Sequence, residues 1–329
     1  RLRDPQVSEA TDPGIGHVSL MRVIVLGSAA GGGFPQWNCH CQGCRRARAG
    51  DPAVKPRTQA SLAVSADGVR WVLLNASPDL PSQLRDHVIL HPDNEGPARN
   101  NPVAAVVISG GDIDCIAGLL TLREGHEFRL YAQDFVQAIL NGNQVFSVMN
   151  PALVRQETLR VNEAVALRDA AGQALGLAVE AFPVPGKLPL YQEAGRDLAS
   201  LVSDDSVIGL SVKDEAGHNI LFIPGCAYVT PAIIKRAEQA DILFFDGTLW
   251  QDREMIDAGL SQKTGARMGH ISVSGEGGTM AVFSALTRTR KIFIHINNTN
   301  PILCDDSDEA KKVQENGWNV AYDGMEVRL

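Results

Sequence analysis

The order of strand-like and helix-like segments predicts an α+β fold: two mixed β-sheets packed together, with helices on their outer faces. Three observations carry this expectation. Antiparallel strands and helices follow one another, and the pattern occurs roughly twice along the chain. Two hairpins are marked by their turns, Ala66-Asp67-Gly68 and Asp214-Glu215-Ala216-Gly217. Apolar runs such as 102–109 and 242–245 are continuous, as suits buried strands.

The elements follow in order. The first strand, 23–26, runs into Gly27-Ser28-Ala29-Ala30-Gly31-Gly32-Gly33. This loop is neither G-x-G-x-x-G nor a P-loop, and Phe34-Pro35-Gln36-Trp37-Asn38 follows it instead of an amphipathic helix. It is expected to let the backbone pass close to something bound, not to hold a nucleotide. The hairpin 61–64/69–74 comes next, then a helix over 81–90, a strand over 102–109, a helix over 115–124, a strand over 128–131 and a helix over 134–141. Strands are expected at 179–183, 206–212 and 219–224, the last two forming the second hairpin. A helix at 230–239, a strand at 242–245, a helix at 279–287, a strand at 292–296, a helix at 307–316 and strand material over 320–328 complete the chain. The Pro-rich piece and polar run between 183 and 205 read as a long surface loop, with 186–205 a candidate lid.

The composition is that of a globular protein, 44% hydrophobic and 21% charged, and 329 residues can bury a full core without staples. The net charge of -8 comes with no basic run, so no nucleic-acid partner is expected. No stretch approaches ~18 continuous apolar residues, so no membrane span is expected either. Residues 1–20 hold no signal-like apolar segment, and Met21 directly precedes the first strand. They are expected to be a leader or an upstream extension, disordered or loosely attached. Residues 21–329 are expected to form one domain, located in the cytoplasm.

Three of the six cysteines, Cys39, Cys41 and Cys44, fall within six residues; Cys115, Cys226 and Cys304 are scattered. C-x-C-x-x-C in a loop offers three thiolates, the favoured donors of a structural zinc. The plainer alternative is three buried or reactive thiols without a metal. The fourth ligand stays open among His40, Asn298 and Cys304.

Asp112 and Asp114 follow the buried strand 103–109, a suitable place for a metal, although either could instead cap a helix N-terminus. His270 lies in a loop before a helix, His295 ends a strand, and Asp246 ends the run 242–246. Lone histidines are more often structural. These strand ends are candidates for one shared site, and spacing alone does not bring them together.

At this point the run Gly110-Gly111-Asp112-Ile113-Asp114-Cys115-Ile116-Ala117-Gly118 resembles the H-x-H-x-D-H-x-x-G signature of the metallo-β-lactamase superfamily. The likeness is greatest to its phosphodiesterase-like members with N-terminal zinc cysteines. Only the Asp and the final Gly are unchanged. Asn75 stands where the family's apolar strand ends in Asp, in Asn75-Ala76-Ser77-Pro78-Asp79. His270 resembles the family's later loop histidine and His295 its last strand-end histidine. Its bridging Asp is missing from Phe222-Ile223-Pro224-Gly225-Cys226. A finer resemblance, from residue 21 to the end, is to a family of pyrroloquinoline quinone (PQQ) biosynthesis proteins. It is carried by the strings 26–39, 75–79, Asp246-Gly247-Thr248-Leu249-Trp250, Met268-Gly269-His270 and 295–303.

The resemblance implies an αββα sandwich of metallo-β-lactamase-like fold and a role in making PQQ from a cross-linked Glu–Tyr unit. It implies an iron-dependent oxygenase that hydroxylates the tyrosine-derived ring; an older reading implies a carrier in transport of the cofactor. A metal-dependent hydrolase is opposed by the missing ligands, so one active-site metal at most is expected. One metal with a few N/O ligands and open positions suits Fe2+. The expected ligands are Asp114, His270 and either Asp112 or His295. Cys115 stands where the superfamily has His, as a further candidate. Asp246 is expected as a ligand or an orienting group, which makes Asp114, Asp246 and His270 the expected catalytic set. Asn297, Asn298 and Asn300 are expected to bind substrate carboxylates or, equally, to cap a turn. The expected partners are the cross-linked Glu–Tyr precursor and other enzymes of the pathway, with a homodimer left open.

Overall fold

The computed structural model describes residues 21–193, 202–203 and 206–329. The expected leader, 1–20, lies outside the described residues, as do 194–201 and 204–205 of the expected lid.

The chain opens with β1 (Arg22–Gly27), α1 (Gln42–Arg48), β2 (Ser61–Ser65), β3 (Trp71–Leu74) and α2 (Leu80–Asp86). β4 (Val103–Val107), α3 (Ile113–Ile116), β5 (Phe128–Ala132), α4 (Asp134–Gly142) and β6 (Val154–Thr158) follow. Next come β7 (Ala164–Arg168), β8 (Ala174–Pro183), β9 (Gly186–Lys187), β10 (Val202–Ser203), β11 (Ile208–Asp214) and β12 (Asn219–Ile223). After α5 (Pro231–Glu238) and β13 (Ile242–Asp246) come the short α6 (Glu254–Asp257), α7 (Gly265–Met268) and α8 (Thr279–Val282). The chain closes with β14 (Arg290–Ile294), α9 (Asp308–Glu315), β15 (Trp318–Val320) and β16 (Glu326–Arg328).

Two seven-stranded sheets result, in the orders β16-β1-β2-β3-β4-β5-β6 and β15-β14-β13-β12-β11-β8-β7. Each sheet is antiparallel through its hairpin and parallel beyond it: β3, β4, β5 and β6 run parallel, as do β12, β13, β14 and β15. Side-chain alternation sorts the apolar residues into layers. Val23 and Val25 of β1 meet Ile242 and Phe244 of β13 in the core between the sheets. Ile24 and Leu26 face outward against Leu80, Ile116 and Val136 of the helices. Leu243 and Phe245 face the other way, against Ile233, Phe283 and Val313. The layering is therefore helix, sheet, sheet, helix, the metallo-β-lactamase fold.

Both hairpins form where expected. In the first, the Asp67 carboxylate accepts from the amides of Val69 and Arg70 and closes the turn. Thr230 and Ser307 cap α5 and α9 through their hydroxyls. Several expectations need correction. The segment 115–124 forms one α-turn and continues as a 3-10 helix, Ala117–Arg123. β6 and β7 were not legible: β6 is polar and mostly exposed after Val154, and in the short β7 only Val165 and Leu167 mark the inner face, with Ala164, Ala166 and Arg168 exposed. The expected helix at 279–287 stops at Val282, after which Phe283 and Leu286 turn into the core. The strand material over 320–328 divides at Gly324 (φ 88°), so that β15 and β16 join different sheets.

One glycine fixes how α3 sits. A Cβ on Gly118 would lie 2.2 Å from the Ser77 carbonyl oxygen and 2.8 Å from that of Ala76. The Gly118 amide donates to Ala76, and the Ala76 amide donates to Cys115, so the turn after β3 and the helix after β4 are pinned to each other. Asn75 (φ 64°) adds a second clamp, its side-chain oxygen accepting from the Ser109 amide and hydroxyl. These bonds set the path of the loop that carries Asp112 and Asp114.

Candidate metal centres and the cavity between the sheets

Parallel strands deliver their carboxyl ends to one edge, the usual place for a site in a sheet of this kind. β4 leads to Asp112 and Asp114, β12 to Pro224 and Gly225, β13 to Asp246 and Thr248, and β14 to His295. A cavity of about 410 Å³ opens there, with Asp112, Asp114, Cys115, Thr248, His270 and His295 in its wall. Asp246 is fully buried behind that wall.

Asp246, His270 and His295 bring ligand-type atoms within 4.8 Å of one another. The hydrogen bonds decide their roles. The Asp246 carboxylate accepts four: from the amides of Cys226 and Thr248 at 2.9 Å each, the Thr248 hydroxyl at 2.6 Å and His270 Nδ1 at 2.8 Å. The Thr248 hydroxyl also lies 3.1 Å from His270 Nδ1 and 2.8 Å from His295 Nδ1. It fills the point where the three groups converge. Asp246 therefore orients the histidines from behind. A carboxylate only accepts, so His270 carries its proton on Nδ1 and leaves Nε2 for the cavity. Burial opposes ionisation of Asp246, but His270, His295 and Thr248 prevail and hold its carboxyl below the usual range.

His295 (φ 57°) turns its other nitrogen to Asp114, Nε2 to Oδ2, at 2.9 Å. Burial alone would lower the His295 pKa; the Asp114 carboxylate outweighs it and raises it, and the same pairing lowers Asp114. The two imidazoles stack, with centroids 5.3 Å apart. Asp112 holds the N-cap position of α3 but makes no capping bond through its side chain. It lines the cavity instead, its carboxyl raised by burial and by Asp114. Burial drives the Cys115 thiol well up, with Asp114 and Asp112 adding to it, so Cys115 is a protonated thiol there and a poor donor.

Of the three asparagines, Asn297 alone lines the cavity, its amide donating to Met255 Sδ and Thr299. Asn300 is a turn cap, accepting from the Ile302 amide and donating to the Gly247 carbonyl. Asn298 faces the cysteines. Both are buried by the packing of 297–303 against the β13 end, which takes them away from the cavity.

The cysteines form the second cluster, with Cys39, Cys41 and Cys44 sulfurs within 4.8 Å of one another. They are not all in a loop: Cys41 is the N-cap of α1 and Cys44 sits in its first turn, fully buried. Asn298 Nδ2 is 3.5 Å from Cys44 Sγ and 3.8 Å from Cys41 Sγ. His40 and Cys304 do not join the group. Burial, with the neighbouring thiols, pushes Cys41 up to about 12 while Cys39 is lowered. Three adjacent thiols oppose one another's ionisation, and a cation among them would remove that opposition.

At the cavity mouth Lys187, Lys263 and Arg267 converge on Glu193. Lys187 Nζ is 2.6 Å from Oε1; Lys263 Nζ and Arg267 Nη2 are 3.0 and 3.3 Å from Oε2. Sequence reasoning missed this group and the role of Thr248. Thr248 carried a signal, standing two residues beyond Asp246 at the same strand end; the cations carried none, being ordinary in type, with Lys263 and Arg267 70 and 74 residues from Glu193.

The comparisons with known proteins agree with this fold. Residues 70–296 match the beta-lactamase superfamily domain. The chain is 50% identical over 310 residues to coenzyme PQQ synthesis protein B of Gluconobacter oxydans, covering 94% of this chain and 99% of that one. It is 48% identical over 308 residues to the protein of the same name in Gluconacetobacter diazotrophicus, again covering 94% and 99%. The chain belongs to the coenzyme PQQ synthesis protein B (PqqB) family of the beta-lactamase superfamily. The crystal structure of Zn2+-bound PqqB from Methylobacterium extorquens superposes with a TM-score of 0.87 at 45% identity, covering 94% of this chain and all of that one. A diphosphatase of the PhnP family shares the fold, with a TM-score of 0.63 at 19% identity over 94% and 97% of the two chains. Membership of the PqqB family places the chain in PQQ synthesis. No helix among the described residues is long and apolar enough to cross a membrane.

Proposed function

We propose that this chain is an iron(II)-dependent oxygenase of PQQ synthesis, hydroxylating the tyrosine-derived ring of the cross-linked Glu–Tyr precursor. One observation carries the reading: His270, His295 and Asp114 all line the cavity, His295 is paired with Asp114, and both imidazoles are fixed from behind by Asp246 and Thr248. Two imidazole nitrogens and one carboxylate oxygen are the donor set that suits non-haem iron(II). His295, Asp114 and His270 would hold a divalent cation, the first two giving up the proton they now share. Asp112, whose side chain makes no capping bond, is a further carboxylate in the cavity wall.

Iron bound there supplies the one-electron chemistry that lets dioxygen react with a closed-shell phenol. The protein's part is positional. Asp246 and Thr248 fix both imidazole rings, and the apolar side chains of Val207, Met255 and Met268 in the cavity lining receive the ring. A hydrolase reading lacks its bridging carboxylate: at that place stands Cys226, whose amide donates to Asp246 and whose thiol donates to the Tyr228 carbonyl. A pure carrier has no need of two histidines oriented by a buried carboxylate. At the second cluster we propose a structural zinc on Cys39, Cys41 and Cys44. The Asn298 amide, turned to present its oxygen, is the fourth ligand.

The test is a single turnover. Protein loaded anaerobically with iron(II) receives the cross-linked Glu–Tyr unit, an added reductant and labelled dioxygen. One oxygen atom is expected in the ring and the other in water, with two electrons from the reductant. Label in the product, lost in Asp114→Ala and His270→Ala, supports the oxygenase. Unlabelled, unchanged substrate with iron bound overturns it in favour of the carrier.

A further inference from the structure

We propose that Lys187 and Lys263, gathered at the cavity mouth by Glu193, form a carboxylate-binding subsite that selects anionic aromatic ligands and points their ring toward His270 and Asp114. The inference rests on reading the cavity as the substrate site.

Lys187 and Lys263 both line the cavity, as do Asp112 and Asp114, and Lys187 is near enough to Asp112 to favour its ionised form. Leu190, Val207, Met255 and Met268 supply apolar lining beside these charges. A ligand with an apolar ring and a carboxylate is oriented by such a lining, its carboxylate toward the lysines and away from Asp114. Among the described residues, three cations share the single carboxylate of Glu193. Burial would raise the Glu193 pKa, but the bonds from Lys187 and Lys263 hold it down to about 2, so it remains a fixed anion. Glu193 therefore keeps two long, flexible side chains gathered before any ligand arrives, which removes much of the entropy cost of ordering them on binding. An ammonium has three N–H donors. Each lysine gives one to Glu193, which leaves donors for a further carboxylate.

The backbone ties this group to the chemistry. Gly269 (φ 83°) lies against the Lys187 stem, where a Cβ would stand 3.0 Å from its Cγ. Gly269 is also the C-cap of α7, so Arg267 and His270 belong to one short unit beginning at the Thr264 cap, which directly follows Lys263. A carboxylate held by Lys187 and Lys263 is thereby indexed directly to the His270 imidazole.

The experiment is calorimetric binding to iron-free, zinc-replete protein without dioxygen. The probes are the cross-linked Glu–Tyr unit and its fully methyl-esterified form. Wild type is expected to bind the acid at least tenfold tighter than the ester. Lys187→Met and Lys263→Met are each expected to weaken the acid about tenfold and leave the ester unchanged. Arg236→Met, a cation beside Phe182 and away from the mouth, leaves both unchanged. Equal affinity of wild type and both lysine variants for the acid overturns the subsite, as does absence of acid binding to wild type. Because no turnover is involved, failure of the oxygenase leaves this outcome standing. Labelled product from lysine variants with unchanged affinity sinks the subsite alone.

Discussion

Asp246→Asn is the most informative single change, because it keeps the shape and alters only what the carboxylate can accept. In the wild-type chain the two oxygens receive four hydrogen bonds, two from Thr248 and one each from the Cys226 amide and His270 Nδ1. An asparagine oxygen keeps the Thr248 pair, but its NH2 then faces the Cys226 N–H, and two donors cannot pair. That buried amide loses its acceptor, at about 1–3 kcal/mol. Turning the side chain over leaves the Thr248 amide without one, so the cost does not depend on the orientation chosen. His270 can satisfy the new NH2 only by moving its proton from Nδ1 to Nε2, which removes the lone pair that faces the cavity. Iron(II) affinity is expected to fall about 10–100-fold, as when other groups behind a metal ligand are changed. Urea unfolding followed by tryptophan fluorescence reads the first effect, and competition with a calibrated chelator reads the second. A stability within about 0.5 kcal/mol of wild type, together with unchanged iron affinity, refutes the argument. Complete loss of iron binding makes Asp246 a ligand instead.

Two further outcomes are expected. Burial raises the Glu254 carboxyl to about 6, against the bonds it accepts from Thr299 and the Trp250 amide. Its folded pKa thus lies above the unfolded value near 4.3, so the folded state holds the proton more tightly. Its contribution to stability is fully present below about pH 4.3 and is lost as pH rises through about 6, by roughly 2 kcal/mol. Urea titrations between pH 4 and 7 should show this loss in wild type and not in Glu254→Gln; parallel curves would refute the assignment. Cys44→Ala removes a fully buried sulfur from the thiolate cluster. Elemental analysis is expected to show one zinc fewer per chain, and thermal unfolding a loss of at least about 2 kcal/mol from cavity and lost cross-link together. Retained zinc would mean that the metal is not held there.

How far the site was legible depended on whether the relevant bond was local. Cys39, Cys41 and Cys44 lie so close in sequence that any tight turn brings their sulfurs together, and spacing alone identified them. Asp246, His270 and His295 each stood out at a strand end or in an adjoining loop. Their convergence comes from parallel pairing of β13 with β14, which no local pattern reveals. The asparagines of 297–300 looked alike as a polar run. The fold separates them, sending Asn297 to the cavity, Asn298 to the cysteines and Asn300 into a turn. The edge strand β6 was silent because a polar, exposed strand lacks the alternation that marks a half-buried one, and β7 because two inward positions, Val165 and Leu167, are too few to set a period.

The sequence by itself determined the layered α+β architecture, the two hairpins and the cysteine cluster. Each depends on side-chain periodicity or on chemistry within a few residues, and both are written along the chain. Only the tertiary structure decided that Asp246 stands behind the histidines, that a threonine hydroxyl occupies their meeting point, and that three distant cations gather on Glu193. Those arrangements are contacts between segments from 22 to 74 residues apart, or from 6 across a loop for Lys187. The packing of two sheets brings such groups to hydrogen-bonding distance, and direction and distance at that scale are properties of the folded chain alone.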